Sequence, residues 1–168
     1  MKKNFYWILG VVCSLAVFTG CSDNDDDDIL VSDVPQAVMD GLQSKFPNVT
    51  YAEWENKLGY YVAEFWQEGI QTDVWISEQG EWCMTELDLG TNLSLLPEVV
   101  QAAFKSGSYA TWRVDDLDKY ERPDRTFFLI EVETQGEADR DLFYAPDGTL
   151  IKDEVDRENN DVTPTTKI

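Results

Sequence analysis

Apolar residues recur at a four-residue spacing in two stretches of the chain, which predicts two amphipathic helices. The first stripe runs through Val34, Val38, Leu42 and Phe46. The second runs through Leu96, Val100, Ala103 and Phe104. Pro35 suits the first turn of a helix because proline lacks an N–H group that would otherwise go unbonded there. Pro47 ends the first helix and Gly107 ends the second.

The segments that follow each stripe are rich in aromatic and β-branched residues and are divided by short turns, which predicts antiparallel strands. In the first half the predicted strands are 49–55, 60–67, 71–77 and 81–87. In the second half they are 110–115, 126–133, 140–145 and 149–156. Helices and antiparallel strands together indicate the α+β class.

Three landmarks occur in the same order in both halves, which predicts an internal duplication. Val34-Pro35 corresponds to Leu96-Pro97, and Tyr51-Ala52-Glu53-Trp54 corresponds to Tyr109-Ala110-Thr111-Trp112. The turn at 79–80 corresponds to the turn at 147–148. We therefore expect two tandem helix-plus-antiparallel-sheet repeats, at about 33–90 and 95–156, with the helices on one face of the sheet.

The first twenty residues are typical of an export signal. Lys2 and Lys3 precede an uncharged apolar stretch at 5–17, and small residues precede Cys21. The run 18–21 resembles a lipobox, so we expect removal of 1–20 and lipid attachment to Cys21. Residues 21–32 form an acidic segment that is predicted to be a solvated tether. It also resembles the acidic export signal of surface lipoproteins. We predict an outer-membrane lipoprotein that is surface-exposed or faces the periplasm, and a disordered polar tail at 157–168.

Acidic residues dominate the charge: 33 Asp and Glu against 13 Lys and Arg give a formal net charge of −20. Such a surface repels nucleic acid and favours a basic partner. The chain has no histidine, which removes the commonest general base and argues against an enzyme. Cys83, between Trp82 and Met84, is interpreted as a structural thiol. We expect no cofactor.

Metal binding is considered separately because carboxylates are abundant. Zinc prefers Cys and His ligands, whereas calcium prefers oxygen. Two acidic groups have the composition of weak calcium sites. They are Asp115, Asp116 and Asp118, and Asp156, Glu158 and Asp161. Solvated acidic surface is the more economical interpretation of both, so we assign no metal ligand.

A Pro-started helix, a Tyr-x-x-Trp strand, an aromatic hairpin and a glycine turn after a strand resemble the PepSY-like domain. More closely, 33–156 is similar to a tandem form related to the β-lactamase-inhibitor-protein fold, often found in exported lipoproteins. This resemblance implies a non-enzymatic protein, since the inhibitors of that group bind proteins through one concave sheet face.

Alternation along the strands predicts which side chains lie on the face away from the helices. The aromatic residues expected there as partner-binding residues are Trp54, Tyr60, Trp66, Trp75, Trp112, Phe127 and Phe143. The acidic residues expected beside them are Glu64, Asp73, Glu131 and Asp141. We hypothesise an open face that binds a basic protein or peptide, with membrane contact through the lipid anchor only. The alternatives are burial of these rings between the repeats or under a loop, glycan binding, and calcium-dependent adhesion or ion binding.

Overall fold

One antiparallel sheet forms the body of the protein. The computed structural model describes residues 26–157 and 162–168, and the described chain contains nine strands. The first five are β1 (Asp26–Asp28), β2 (Glu53–Lys57), β3 (Tyr60–Gln67), β4 (Ile70–Ile76) and β5 (Trp82–Asp88). The others are β6 (Arg113–Glu121), β7 (Thr126–Glu133), β8 (Arg140–Tyr144) and β9 (Leu150–Val155). The sheet order is β1 to β9, so each strand neighbours the strands before and after it in the chain.

The predicted fold of two tandem helix-plus-sheet repeats is wrong. Within the described ranges the protein is mostly a single sheet, with two short α-helices, α1 (Gln36–Lys45) and α2 (Glu98–Ser106). β5 pairs with β6, Thr85 lying opposite Glu121 and Asp88 opposite Asp118. This pairing satisfies backbone groups that two separate sheets would leave at open edges. It therefore joins both halves into one continuous sheet.

Both helices cover the same face of this sheet. α1 buries Val38 and Leu42 in a cluster that includes Val74, whereas α2 packs in a cluster with Leu87 at its margin. Val74 pairs with Thr85, and residues 85 and 87 point to the same side of β5. The opposite face is called the second face below. No helix in the described chain combines the length and apolar character required to cross a bilayer.

Two glycine turns allow the helices to approach the sheet closely. Gly80, in the β4–β5 turn, has φ +84°, and a Cβ at this position would lie 2.3 Å from the carbonyl oxygen of Ala37 in α1. Gly148, in the β8–β9 turn, has φ +86°, and its Cβ would lie 2.8 Å from the carbonyl oxygen of Val99 in α2. Only glycine fits both the backbone conformation and the space.

Both predicted terminal segments differ from the expectation. Asp26–Asp28, within the predicted tether, form the edge strand β1 and pair with residues 55–57 of β2. The prediction of a disordered tail is wrong for 162–168. Val162 is only 4% exposed, and Arg122 donates hydrogen bonds to the carbonyl oxygens of Thr163 and Thr166. The predicted export signal and Cys21 lie outside the described residues.

Candidate functional site

Most of the predicted aromatic face is closed. Trp75, Phe127 and Phe143 lie on the second face but are buried in one apolar cluster with Val162. Trp54 is buried on the helix side, because it pairs with Ala63 in the cluster beneath α1. The expectation that these four rings are exposed is therefore wrong.

The remaining three predicted aromatic residues are separated from one another. Tyr60 is partly buried and meets Trp75 edge-on, with ring centroids 5.9 Å apart. Trp112 packs against the α2 cluster, on the helix side. Trp66 alone among the seven is largely exposed, at 67%. Strand alternation places it on the second face with Val62 and Glu64.

An acidic cavity of about 330 Å³ opens on the second face. The acidic residues that line it are Glu55, Asp73, Glu86, Asp116, Asp118, Glu131, Asp141 and Asp156. The basic residues are Lys57 and Arg157, and the apolar and aromatic ones are Val62, Trp75, Tyr120, Leu129 and Val162. The predicted location of Asp73, Glu131 and Asp141 on this face is confirmed.

Strand pairing brings carboxyl groups into direct opposition in and beside this cavity. Asp73 lies opposite Glu64 on β3 and opposite Glu86 on β5. Glu131 lies opposite Asp116 on β6 and Asp141 on β8. Like charges in such cross-strand pairs destabilise a sheet. The cavity is therefore maintained by the rest of the fold rather than by its own electrostatics.

Burial and mutual repulsion raise the pKa values of the cavity carboxyl groups. Burial, followed by Glu86, raises the pKa of Asp118 to about 9, and this residue is only 5% exposed. Burial and then Glu64 raise the pKa of Asp73 to about 7. Burial and then Asp141 raise the pKa of Glu131 to about 7. At neutral pH the cavity therefore holds protons that a bound cation would displace.

Sequence reasoning did not place Glu86 or Asp118 on the second face, although it considered Asp118 as a member of a weak calcium site. The pattern predicted that the strand starting near 110 ends at 115, whereas β6 continues to Glu121. The Tyr120 hydroxyl lies 3.1 Å from Oε1 of Glu86 and 3.4 Å from Oδ2 of Asp118. Strand alternation between Asp116, Asp118 and Tyr120 was the signal that could have located them.

Asp88, beside the cavity, lies close enough to two of the lining carboxylates for the three to share a cation. Oxygens of Asp88, Asp116 and Asp118 all lie within 4.8 Å of one another. The first predicted acidic group therefore has a different third member, since Asp88 takes the place of Asp115. Two of its oxygens already accept backbone N–H groups, Asp88 from Gly90 at 2.6 Å and Asp116 from Leu117 at 2.9 Å. In the second predicted group, 158 and 161 lie outside the described residues.

A second concave surface, the edge groove, adjoins the cavity where β3 extends past the start of β2. Its volume is about 680 Å³. The apolar lining consists of Phe46, Pro47, Val49, Tyr51, Phe65 and Trp66. Tyr51 is 71% exposed, like Trp66 a large ring in contact with solvent. Glu64 lines this groove and pairs with Asp73 of the cavity, so one cross-strand pair connects the two surfaces.

Cys83 has the properties of a structural thiol. It is partly buried, and its Sγ donates to the carbonyl oxygen of Glu81 at 3.3 Å. Burial raises its pKa, which lowers the reactive thiolate fraction.

Comparison with known proteins identifies related sequences and folds. A family model described as beta-lactamase-inhibitor-like, PepSY-like matches residues 59–152. A BLIP-like protein from Bacteroides fragilis is 32% identical, with a TM-score of 0.73 over 79% of this chain and 94% of that chain. A DUF2874 family protein from Bacteroides ovatus is 33% identical, with a TM-score of 0.68 over 72% and 86% of the two chains.

A protein of Bacteroides eggerthii that is described as periplasmic shares the fold at 23% identity, with a TM-score of 0.67 over 73% of this chain and 88% of that chain. No match was found among curated proteins.

Proposed function

Because the chain belongs to the beta-lactamase-inhibitor-like, PepSY-like family, we propose that it is a non-enzymatic, inhibitor-like module that binds another protein on the second face of its sheet. In this proposal Cys21 carries a lipid anchor in the outer membrane, and the module faces the periplasm or the cell surface. The periplasmic description of one structural relative supports export.

The acidic cavity is the observation that carries this proposal. Among the residues that the structure describes, eight acidic and two basic ones line it. Burying like charges costs stability unless opposite charges accompany them. A sheet face with this excess of acid is therefore complementary to a basic partner. The net charge of −20 would also steer such a partner towards the protein from a distance.

Trp66 supplies an apolar anchor beside the acid. A largely exposed tryptophan next to a groove is the kind of side chain that dominates binding energy when a partner covers it. Tyr51 lies in the same groove. The partner would therefore present an apolar group to the edge groove and basic groups to the acidic cavity.

A comparison of two exposed apolar residues tests this proposal. Trp66→Ala removes the anchor, whereas Leu150→Ala removes an exposed side chain on β9 and serves as the control. In affinity capture from envelope extract, we expect wild type and Leu150→Ala to retain one specific protein and Trp66→Ala to lose it. We also expect capture to weaken as salt increases. Equal capture by all three proteins would contradict the proposed surface.

The edge groove favours glycan binding as a second candidate function. Tyr51 and Trp66 expose large aromatic faces beside Glu53 and Glu64, so a sugar could stack on a ring and hydrogen-bond to a carboxylate. Calorimetric titration with neutral oligosaccharides separates the two functions. Saturable binding that is insensitive to salt would support glycan recognition, whereas absence of heat would favour protein recognition.

A further inference from the structure

Trp75 brings a buried hydrogen-bond donor to the acidic cavity. This side chain is 3% exposed and lines the cavity, and its indole Nε1 has no hydrogen-bond partner among the described residues. Buried N–H groups in folded proteins nearly always meet an acceptor. An acceptor supplied by a ligand would complete this site.

Asp73 adds the complementary group. Its Oδ1 is also buried without a hydrogen-bond partner in the described chain. Asp73 and Trp75 are two residues apart on β4 and share the second face, so their Cα atoms are about 7 Å apart. A ligand that satisfies both must donate to a carboxyl group at one end and accept from an indole at the other.

An arginine residue of a protein carries both functions. Its guanidinium offers five donors in a planar fork suited to carboxylates from more than one strand. Its main-chain carbonyl, at the other end of the side chain, is an acceptor. A bare metal ion offers the indole no acceptor. The cavity, about 330 Å³, is at the small end of the ligand-pocket range of about 300–1,000 Å³ and suits a single side chain.

We propose that the acidic cavity is the subsite for one arginine side chain of the bound protein. The guanidinium lies between the carboxyl groups of Asp73 and Asp118, and the neighbouring main-chain carbonyl accepts the Trp75 Nε1–H bond. This assignment rests on the proposed function, and it names the group that the partner inserts.

Two small probes test the subsite on the purified full chain. Nα-acetyl-arginine N-methylamide carries the charge and the carbonyls, and the citrulline analogue has nearly the same shape without the charge. Binding is followed by NMR of the indole N–H signals, with the Trp75 signal identified as the one missing from Trp75→Phe. We expect the arginine probe to shift the Trp75 signal saturably and the citrulline probe to bind at least tenfold more weakly.

Variants distinguish this subsite from nonspecific attraction to an acidic protein. Asp73→Asn should weaken the arginine probe about tenfold, whereas Asp139→Asn, an exposed control outside the cavity, should leave its affinity unchanged. Equal affinity for arginine and citrulline probes, or equal effects of the two Asp variants, would overturn the subsite. So would calcium saturating the cavity while the arginine probe leaves the Trp75 signal in place.

The outcomes also separate the subsite from the proposed function. If the arginine probe fails to bind but Trp66→Ala still abolishes partner capture, the subsite is wrong and protein binding stands. If the probe binds as expected but capture does not depend on Trp66, the proposed protein surface is wrong and the cavity remains an arginine site.

Discussion

Replacing Asp118 by Asn is expected to stabilise the folded protein at neutral pH. Asp118 lies on β6 at 5% exposure, and burial followed by repulsion from Glu86, Asp116 and Glu131 raises its pKa to about 9. An Asp in the unfolded chain has a pKa of about 3.9. Asn has nearly the same shape and remains neutral, so it removes the titration while it preserves the packing.

The direction of this pH dependence follows from the different number of protons that the folded and unfolded chains bind. Between pH 4 and 9 the folded protein holds a proton on Asp118 that the unfolded chain has released. The contribution of Asp118 to stability is therefore fully present below about pH 4 and is lost as pH rises to about 9. One such proton corresponds to about 1.4 kcal/mol per pH unit, hence about 4 kcal/mol between pH 4 and 7 as an upper bound.

Urea unfolding at pH 4.5, 6.0 and 7.5, followed by tryptophan fluorescence, measures this effect. The free energy of unfolding of Asp118→Asn should exceed that of wild type by an amount that grows with pH. Asp139→Asn, at an exposed site, should remain parallel to wild type. Asp73 and Glu131 titrate in the same direction and persist in every variant, so they do not change the comparison. A difference between Asp118→Asn and wild type that stays constant with pH would show that Asp118 does not hold a proton in the folded protein.

Three further predictions concern the fold that supports the cavity. Val162→Ala should lower the free energy of unfolding by about 1.5 kcal/mol, because it removes two buried methyl groups worth about 0.8 kcal/mol each. Thr165→Ala, at an exposed position, should have little effect in the same urea experiment. Gly80→Ala should lower the thermal unfolding temperature more than Gly136→Ala, because both residues have positive φ but only the first of them lacks room for a methyl group. Equal decreases in unfolding temperature would contradict the close approach to α1. Arg122→Gln should increase proteolytic removal of 162–168, since the guanidinium holds two tail carbonyls, and an unchanged cleavage rate would contradict that role.

Local patterns predicted the elements well where apolar periodicity is uninterrupted. The predicted strands at 60–67 and 126–133 coincide with β3 and β7, and the two apolar stripes correspond to α1 and α2. β6 was harder to predict, since charges at Asp115, Asp116 and Asp118 interrupt its apolar pattern, and the last two of these residues line the cavity. The acidic residues of the cavity thus obscured the strand pattern of β6.

Long-range contacts account for what the sequence did not predict. Trp54 was predicted on the wrong face of the sheet. A one-residue difference in strand register moves a side chain to the opposite face, and the aromatic pattern does not determine the register. Pairing of β5 with β6 joins segments on either side of α2. The polar tail resembled a disordered segment, yet Val162 and the carbonyls bound by Arg122 hold it on the second face. The docked tail covers aromatic rings that were predicted to be exposed.

Site-specific photo-crosslinking in cells tests whether the second face binds another protein. A photoreactive residue at Gln71 lies beside Asp73 at the margin of the acid cluster, and one at Ser44 lies on the exposed side of α1. We expect one discrete crosslinked protein from position 71 and none from position 44. Crosslinking from position 44 alone, or the same products from both positions, would contradict it.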